Sequence, residues 1–313
     1  MDKLVISIVT WNHQDSIENC IQSVLDQTHR DFVLHIVDNN SHDQTCSRIE
    51  TFNDPRIRLT KLKENTGFCG GNNLTINSTQ SEYVLLVNPD VVMKPDYIER
   101  ALQTMNEDVR TGTVCGLLTQ GDPDDQDTSI DGAGLTMMRS RIFRVRFHGK
   151  KKQEVELKKE IVFGADGALP LYRRAMINDV SFEGDFFDEM FFAHKEDWDV
   201  SWRSHSYGWN TVFDPACVAV HPRHFKPASF SLRKTVSAHI KIHTVKNSLI
   251  LILKNESLPS LLLNSIFILP RQVTIFLFIA LFERTSLKAY GFVWKNFAEI
   301  TKKRREIQRR RTR

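Results

Sequence analysis

Several carboxylates and one imidazole stand at positions in this sequence where they could hold a metal ion or move a proton. Asp90 follows the apolar run 83–87, and Pro89 must end that strand because proline cannot donate to a sheet ladder. In open α/β sheets ligands bind at the carboxyl ends of strands, and a carboxylate there suits a hard divalent cation that bridges phosphates. A plain proline turn with a solvated aspartate would give the same triplet, so the neighbouring motifs must decide.

A second acidic cluster lies in the aromatic-rich segment 191–203. Glu196, Asp197 and Asp199 fall at the expected start of a helix, where the helix dipole alone would favour acidic residues. In an aromatic-walled pocket, however, the pKa of a carboxylate rises and the group can act as a general base. His221 ends a short valine-rich run and could ligate a metal through a neutral imidazole, although a plain surface histidine is the commoner case.

The elements that must position these groups alternate between strand-like and helix-like patterns. Runs of valine, isoleucine and leucine predict strands, and apolar residues at helical spacing predict helices. The predicted strands are 4–10, 32–37, 57–61 and 83–87, and the predicted helices between the first three are 15–27 and 47–52. This β-α-β-α order predicts an α/β fold with a Rossmann-like, mostly parallel central sheet flanked by helices.

A glycine-rich segment, 67–73, is predicted as a turn that leads into a further helix. The free N–H groups at a helix N-terminus could meet an anion there. The segment is not the dinucleotide-binding fingerprint, because it follows the third strand rather than the first and its glycines are differently spaced. A nicotinamide cofactor is therefore not expected.

The overall composition is that of an ordinary globular protein, with 313 residues, 41% of them hydrophobic and 26% charged. The apolar run 5–9 is too short for a secretory signal. Five scattered cysteines without metal-ligand spacing indicate reduced thiols in a cytosolic protein and no structural zinc site.

Much of the net charge of +4 sits in a basic tail, 302–313, behind an apolar stretch, 261–282. Pro270 interrupts that stretch, so the sequence predicts an interfacial or re-entrant helix pair, with the tail facing anionic headgroups. A buried helical hairpin with a solvated tail is the alternative. Nucleic-acid binding is not expected, because the tail lacks interleaved aromatic residues. We expect an α/β domain over 1–232 and a helical, membrane-associated region over 233–313.

Six motifs in a fixed order together resemble one family. They are VISIVTWN at 5–12, VDNNSHDQT at 37–45, ENTGFCGGNN at 64–73, NPDV at 88–91, FFAHKEDWDVSWR at 191–203 and VAVHPRHFKPAS at 218–229. The chain resembles the inverting family 2 glycosyltransferases with a GT-A fold, in particular their bacterial rhamnosyltransferase-like branch. The resemblance implies transfer of a sugar, rhamnose, from a dTDP- or UDP-sugar donor to a lipid-linked glycan acceptor. The enzyme would be cytoplasmic and peripherally associated with the inner leaflet of the inner membrane.

The resemblance also implies roles for individual residues. Asp197 would be the general base, with Glu196 beside it, and Asp90 and His221 would hold Mg²⁺ or Mn²⁺. Asn88 stands where the family has the first aspartate of its Asp-x-Asp metal motif, so charge neutralisation at the metal is weaker here. The residues implied in binding the nucleotide sugar are Thr10, Asn12, Asp38, Asn65, Gly67, Asn72, Asn88 and Asp90, with Thr10 and Asp38 on the base and ribose.

Other functions stay open on the residues themselves. A family 2 transferase of galactofuranose, glucose or N-acetylglucosamine would share these motifs. A nucleotidyltransferase would need a glycine-rich basic loop after the first strand, where residues 11–14 read Trp-Asn-His-Gln instead. A catalytically weak, membrane-attached saccharide-binding scaffold is favoured only by Asn88.

Overall fold

The computed structural model describes residues 3–222 and 236–311. The strands are β1 (Leu4–Thr10), β2 (Val33–Asp38), β3 (Ile57–Lys61), β4 (Tyr83–Leu86), β5 (Val92–Met93), β6 (Thr111–Thr119), β7 (Ile130–Gly132), β8 (Leu135–Met137), β9 (Phe143–Val145), β10 (Glu160–Val162), β11 (Leu171–Arg173) and β12 (Asn210–Val220). The helices are α1 (Ile17–Leu25), α2 (Thr45–Ile49), α3 (Gly67–Asn77), α4 (Tyr97–Asn106), α5 (Arg174–Val180), α6 (Glu196–Ser206), α7 (Ala238–Asn255), α8 (Leu258–Phe282), α9 (Lys288–Lys295) and α10 (Phe297–Arg311). The predicted domain boundary after residue 232 lies outside the described residues.

One large mixed sheet positions the candidate site, with its strands in the order β10-β12-β6-β11-β4-β1-β2-β3. The strands β4, β1, β2 and β3 run parallel, as the sequence predicts. β11 enters between β4 and β6 and is antiparallel to both, so the sheet is less uniformly parallel than the order of elements predicts. Since β12 runs parallel to β6, the carboxyl ends of β1, β2, β4 and β12 face the same edge.

Alternating side chains of β1 join two separate cores, one on each face of the sheet. Ile6 and Ile8 pack with residues of α1 and α4, whereas Val5 packs with residues of α3, α5 and α6. Burying each such side chain stabilises the fold by roughly 1.5–3 kcal/mol. The sheet is therefore fixed from both sides, and its edge can hold polar groups without losing its position.

The glycine-rich segment is not a turn before a helix, as predicted, but forms the first turns of α3, which begins at Gly67. Close packing explains these glycines. A Cβ on Gly71 would come within 2.6 Å of Val9 in β1. A Cβ on Gly67, whose φ is +74°, would meet the carbonyl oxygen of Phe192 at 2.4 Å. The glycines thus let α3 lie against both β1 and the segment that leads into α6.

The C-terminal helices pack directly on the α/β domain. Ile250 of α7, Val293 of α9 and Ile300 of α10 belong to the same core as the side chains of α3 and α6. In addition, the buried ammonium group of Lys254 donates to Asp188 at 2.6 Å and to Asp199 of α6 at 2.9 Å. The described part of the region 233–313 therefore shares a core with the domain before it.

α8 is one continuous helix of 25 residues, so the predicted break into a helix pair at Pro270 is wrong. Pro270 removes one intrahelical hydrogen bond, but it is exposed, and its ring therefore displaces no neighbouring element. Among the described residues, α8 is the one helix long and apolar enough to cross a membrane by length and composition. Only 11% of its most apolar window is buried, which separates it from the core helix of a soluble protein.

Candidate functional site

A cavity of about 700 Å³ opens at the shared carboxyl edge of β1, β4 and β12, and we call it the site cavity. Five of the predicted residues line it together. They are Asn88 and Asp90 after β4, Glu196 and Asp197 at the start of α6, and His221 after β12. Residues 13, 68, 166–168, 194, 195 and 198 also contribute to its walls.

His221 lies between two carboxylates. Its Nδ1 is 2.7 Å from Asp131 Oδ2, and its Nε2 is 3.4 Å from Asp90 Oδ1. Burial lowers the pKa of His221, but Asp131 and Asp90 outweigh that effect and raise it to about 9. Burial also opposes ionisation of Asp90, yet the hydrogen bond and charge of His221 hold the pKa of Asp90 below its usual value. The three side chains therefore form one electrostatic unit at the cavity wall.

Sequence reasoning missed Asp131. It belongs to β7, a strand of three residues that pairs with β6, the neighbour of β12. The segment 121–134 is acidic, contains three glycines and several other aspartates, and is predicted from its composition to be a loop. One signal could have distinguished Asp131 from the other aspartates: the apolar residues Ile130 and Ala133 lie close to it in the sequence.

Asp90 offers an oxygen to the cavity and His221 offers a nitrogen once its Nε2 has lost its proton, a donor set that suits Mn²⁺ or Mg²⁺. A metal-binding histidine usually donates its other ring N–H to a carboxylate, and the Nδ1 of His221 makes that contact with Asp131. Within residues 3–222 and 236–311, no group of three or more His, Cys, Asp or Glu side chains is arranged to hold an ion. The residues present therefore fit a metal that takes its remaining ligands from phosphate and water.

The turn before α6 has an unusual backbone. Phe192, His194 and Lys195 have φ values of +66°, +71° and +71°, a region that costs non-glycine residues roughly 1–3 kcal/mol each. α7 supports this turn, because the side-chain amide of Asn247 donates to the carbonyl oxygen of His194 at 2.7 Å. The strained turn directs the first residues of α6 towards the cavity, and such strain is typical of functional sites.

The two acidic residues at the start of α6 lie in different environments. Asp197 Oδ2 accepts a hydrogen bond from the Gly167 N–H at 3.2 Å, and its Oδ1 accepts one from the Trp198 N–H at 2.8 Å. Glu196 is buried, and its Oε2 has no hydrogen-bond partner within the described residues. Burial raises the pKa of Glu196 well above its usual range, and the charge of Asp197 raises it further. Burial thus disfavours the charged form of Glu196, whereas two backbone N–H groups stabilise the carboxylate of Asp197, which makes Asp197 the better candidate to accept a proton.

Thr10, Asn12 and Asp38 lie together at the ends of β1 and β2, beside the site cavity rather than in its lining. Thr10 and Asp38 are paired in the sheet, and both are buried. Asp38 Oδ2 accepts the Ser41 N–H at 3.1 Å, while its Oδ1 is buried without a hydrogen-bond partner in the described ranges. Burial, and then a hydrogen bond to Asp38 and its charge, raise the pKa of the neighbouring Cys46 thiol to about 11. A ligand bound at the ends of β1 and β2 could donate a hydrogen bond to Asp38 Oδ1.

Asn65, Gly67 and Asn72 do not line the site cavity. Asn65 Oδ1 accepts the Gly67 N–H at 2.8 Å and shapes the start of α3. Asn72 is buried, where its oxygen accepts the Ser7 hydroxyl at 2.8 Å and its amide donates to the Phe68 carbonyl at 3.0 Å. In this arrangement the Asn72 side chain connects α3 to β1, and both of its polar atoms are bonded within the protein.

Comparison with known proteins connects this geometry to a family. The profile of Glycosyl transferase family 2 matches residues 5–181. Over 109 residues the chain is 34% identical to a Bacillus subtilis (strain 168) protein named as the teichuronic acid biosynthesis glycosyltransferase TuaG, and the match covers 34% of this chain and 43% of that protein. It is 26% identical over 107 residues, 34% of this chain and 42% of the relative, to the Escherichia coli UDP-Glc:alpha-D-GlcNAc-diphosphoundecaprenol beta-1,3-glucosyltransferase WfgD. The matched segments span less than half the length of these two curated relatives.

A solved structure extends the likeness to the fold. The mannosyltransferase PcManGT from Pyrobaculum calidifontis, in complex with GDP-Man and Mn²⁺, superposes with a TM-score of 0.54 at 14% sequence identity. The superposition covers 94% of this chain and 75% of that one. The fold is thus the mixed α/β, Rossmann-like GT-A arrangement, which confirms the predicted fold class.

Proposed function

The chain belongs to glycosyl transferase family 2, and on this premise we propose that it is an inverting glycosyltransferase of surface polysaccharide synthesis. Its donor is a dTDP- or UDP-sugar, with rhamnose as the transferred sugar on the resemblance of its motifs. Its acceptor is a hydroxyl of a lipid-linked glycan. The observation that carries the proposal is the single cavity lined by Asp90, His221 and Asp197.

The ends of β1 and β2 support nucleotide recognition. A buried acceptor atom without a donor costs about 1–3 kcal/mol, and Asp38 Oδ1 is such an atom. A ribose hydroxyl would supply the missing donor, while Thr10 lies beside it for the pyrimidine base. The neighbouring residues Val9 and His13 line the site cavity, so a nucleotide bound here would extend its phosphates towards Asp90.

Asp90 and His221 are the residues that would hold Mn²⁺ or Mg²⁺. When bound, the ion offsets the negative charge that develops on the leaving diphosphate. Asn88 contributes no charge, so Asp90 is the acidic member of the motif. Asp131 accepts the hydrogen bond from His221 Nδ1 and thereby keeps Nε2 directed towards Asp90. We infer that Asp131 is a positioning residue, because its contact with the cavity passes through His221.

Asp197 takes the proton of the acceptor hydroxyl while the oxygen attacks the anomeric carbon on the face opposite the diphosphate. One displacement of this kind inverts the anomeric configuration and needs no covalent nucleophile. The Gly167 N–H fixes one oxygen of Asp197, and the strained turn at residues 192–195 fixes the start of its helix. Burial raises the pKa of Glu196 beside it, which disfavours a second negative charge in the cavity.

α8 supports attachment to a membrane surface on the cytoplasmic side. One side of this helix packs on the protein through Asn264, Ile268 and Ile279, which are buried. The other side exposes large apolar residues: Leu262 (77%), Leu263 (79%), Ile266 (72%) and Leu269 (57%). Soluble proteins rarely expose a continuous apolar patch of this kind. Because Asn264, Ile268 and Ile279 attach the helix to the protein at three positions, we propose that it lies in the inner membrane interface and does not cross it.

The function is tested by incubating the protein with Mn²⁺ and a panel of dTDP- and UDP-sugars, with released nucleotide as the readout. Replacing Asp197→Asn should lower transfer by about 10²- to 10⁴-fold, the range that a general base contributes. Nucleotide binding, measured by calorimetry on the same variant, should stay within about twofold of the wild-type value. Wild-type turnover in the variant would refute the role of Asp197, and failure of the wild-type protein to bind either nucleotide would refute the proposed function.

A further inference from the structure

A second cavity, of about 490 Å³, lies between α7 and α8, and we call it the inter-helix cavity. Its walls are largely apolar, with Val245 and Leu249 from α7 and Ile275 and Phe278 from α8. Its polar lining is Lys195, Thr244, Ser248, Arg271, Gln272 and Thr274. A cavity of this size could hold a small headgroup together with the first part of an attached hydrocarbon chain.

The two cavities meet at the start of α6, since Lys195 and Thr244 line both of them. The ammonium group of Lys195 donates to the Thr244 carbonyl oxygen at 2.9 Å and to the Ser248 hydroxyl. Lys195 directly precedes Glu196 and Asp197 in the chain. A ligand held in the inter-helix cavity would therefore lie next to the carboxylate assigned as the general base.

Arg271 and Gln272 bring donors into the inter-helix cavity that the protein itself does not satisfy. Arg271 Nη1 and Gln272 Nε2 are buried, and neither has a hydrogen-bond partner in the described part of the chain. A guanidinium group withdrawn from water without a counter-charge destabilises a fold, so such a group is usually paired. An anionic ligand with several acceptor oxygens, such as a phosphate, would satisfy both side chains.

We propose that the inter-helix cavity binds the phosphate group of the lipid-linked acceptor, with the hydrocarbon chain along α8 and the sugar in the site cavity. This inference rests on the proposed function. A lipid-linked sugar presents hydrocarbon, phosphate and sugar in that order, and the protein presents the exposed apolar side of α8, then Arg271 and Lys195, then Asp197. A free phosphate would not need the apolar walls, and an ordinary phospholipid would not need a connection to the site cavity.

The test measures binding of farnesyl diphosphate, inorganic diphosphate and farnesol to the full chain in detergent micelles by calorimetry. EDTA is present so that no metal at Asp90 and His221 can hold a diphosphate. Farnesyl diphosphate should bind the wild-type protein at least tenfold more tightly than either of the other two probes. Arg271→Gln should weaken that binding at least tenfold, and Arg271→Lys should recover most of it because the charge returns. The matched control Arg284→Gln removes an exposed arginine beyond the end of the same helix and should bind as the wild type does.

Each outcome decides the inference. Equal binding of farnesyl diphosphate to Arg271→Gln and wild-type protein would overturn it. Equally tight binding of inorganic diphosphate would also overturn it, because the site would then recognise an anion without its lipid. Arg271→Gln should not lower the melting temperature, since it removes a partly buried charge that has no counter-charge among the described residues; a clear decrease would assign Arg271 a structural role instead. Binding of UDP or dTDP with Mn²⁺ is measured on the same proteins. If the wild-type protein binds neither nucleotide, the result contradicts the proposed function rather than the acceptor site.

Discussion

Replacing Asp131→Asn is the sharpest test of the metal assignment, because Asp131 does not line the site cavity itself and contacts His221, which does. The carboxylate is fully buried and accepts a hydrogen bond from His221 Nδ1 over 2.7 Å. Asparagine has nearly the same shape and can accept the same hydrogen bond through its amide oxygen. The substitution therefore removes charge and basicity while the packing around β7 is kept.

The expected loss follows from the strength of that contact. A hydrogen bond to an ionised group is about twice as strong as a neutral one. Loss of a carboxylate behind a metal-binding histidine typically reduces metal affinity by about 10- to 100-fold, which is roughly 1.4–2.8 kcal/mol. Because the asparagine side chain would still hold the imidazole in place, we expect the lower end, about tenfold, for Asp131→Asn. Removal of the acceptor in Asp131→Ala should approach the upper end.

The assay is a calorimetric titration of Mn²⁺ into protein saturated with UDP, so that the readout is metal affinity rather than turnover. Asp125→Asn is the matched control, because Asp125 is an exposed aspartate in the same acidic segment. It should leave the dissociation constant of Mn²⁺ unchanged, whereas His221→Ala should weaken binding more than either Asp131 variant. If His221→Ala weakens Mn²⁺ binding and Asp131→Asn does not, Asp131 only stabilises the fold. If neither changes it, the metal does not bind at His221.

The remaining predictions concern the membrane face and the stability of the C-terminal junction. The double variant Leu263→Gln, Ile266→Gln should bind vesicles of anionic phospholipid at least tenfold more weakly, since each apolar side chain buried in lipid contributes about 1.5–3 kcal/mol. The control Val109→Gln replaces another exposed apolar residue (80%) and should bind vesicles as the wild type does. Equal vesicle binding by all three proteins would rule out α8 as the contact. Burial alone would raise the pKa of Asp188, but Lys254 and Lys303 outweigh it and hold that pKa well below its usual range. Its stabilisation is therefore complete above its unfolded-state pKa of about 4 and is lost as the pH falls below that value. The melting temperature of the wild type should fall more steeply between about pH 5 and pH 3 than that of Asp188→Asn, and parallel curves would contradict this account.

Much of the candidate site could be predicted because its residues follow apolar runs, and each run can be recognised as a strand from its own local sequence. Asp90 comes after β4 and His221 after β12, and parallel strands bring their carboxyl ends to one edge. Glu196 and Asp197 begin α6 as the acidic, aromatic-rich pattern predicts. These residues could be placed from local pattern and strand direction alone, without knowledge of side-chain contacts.

Asp131 and Asn72 show where local pattern is insufficient. β7 is too short for its alternation to be recognised, and its aspartate reaches His221 only because β6 lies between β7 and β12. Asn72, in a glycine-rich motif, has the appearance of a ligand-binding residue, yet a buried asparagine can equally bond within the protein, as it does with Ser7. The sequence reports the donor and acceptor groups of a residue, whereas the partner is decided by tertiary packing.

The connection between α7 and the turn before α6 determines how the proposed membrane contact of α8 can be tested. The side-chain amide of Asn247 lies 3.1, 2.9 and 2.7 Å from the carbonyl oxygens of Phe191, Ala193 and His194. α10 supports the same junction, since Lys303 pairs with Asp188 at 2.8 Å and Arg304 donates to the Leu253 carbonyl at 2.7 Å. Deleting residues 261–313 would remove α10 together with the apolar face, so weaker activity could reflect a displaced Asp197 rather than lost membrane contact. Substitutions confined to the exposed side of α8 leave Asn247, Lys303 and Arg304 in place, and they are therefore the changes that can separate the proposed membrane attachment from the position of Asp197.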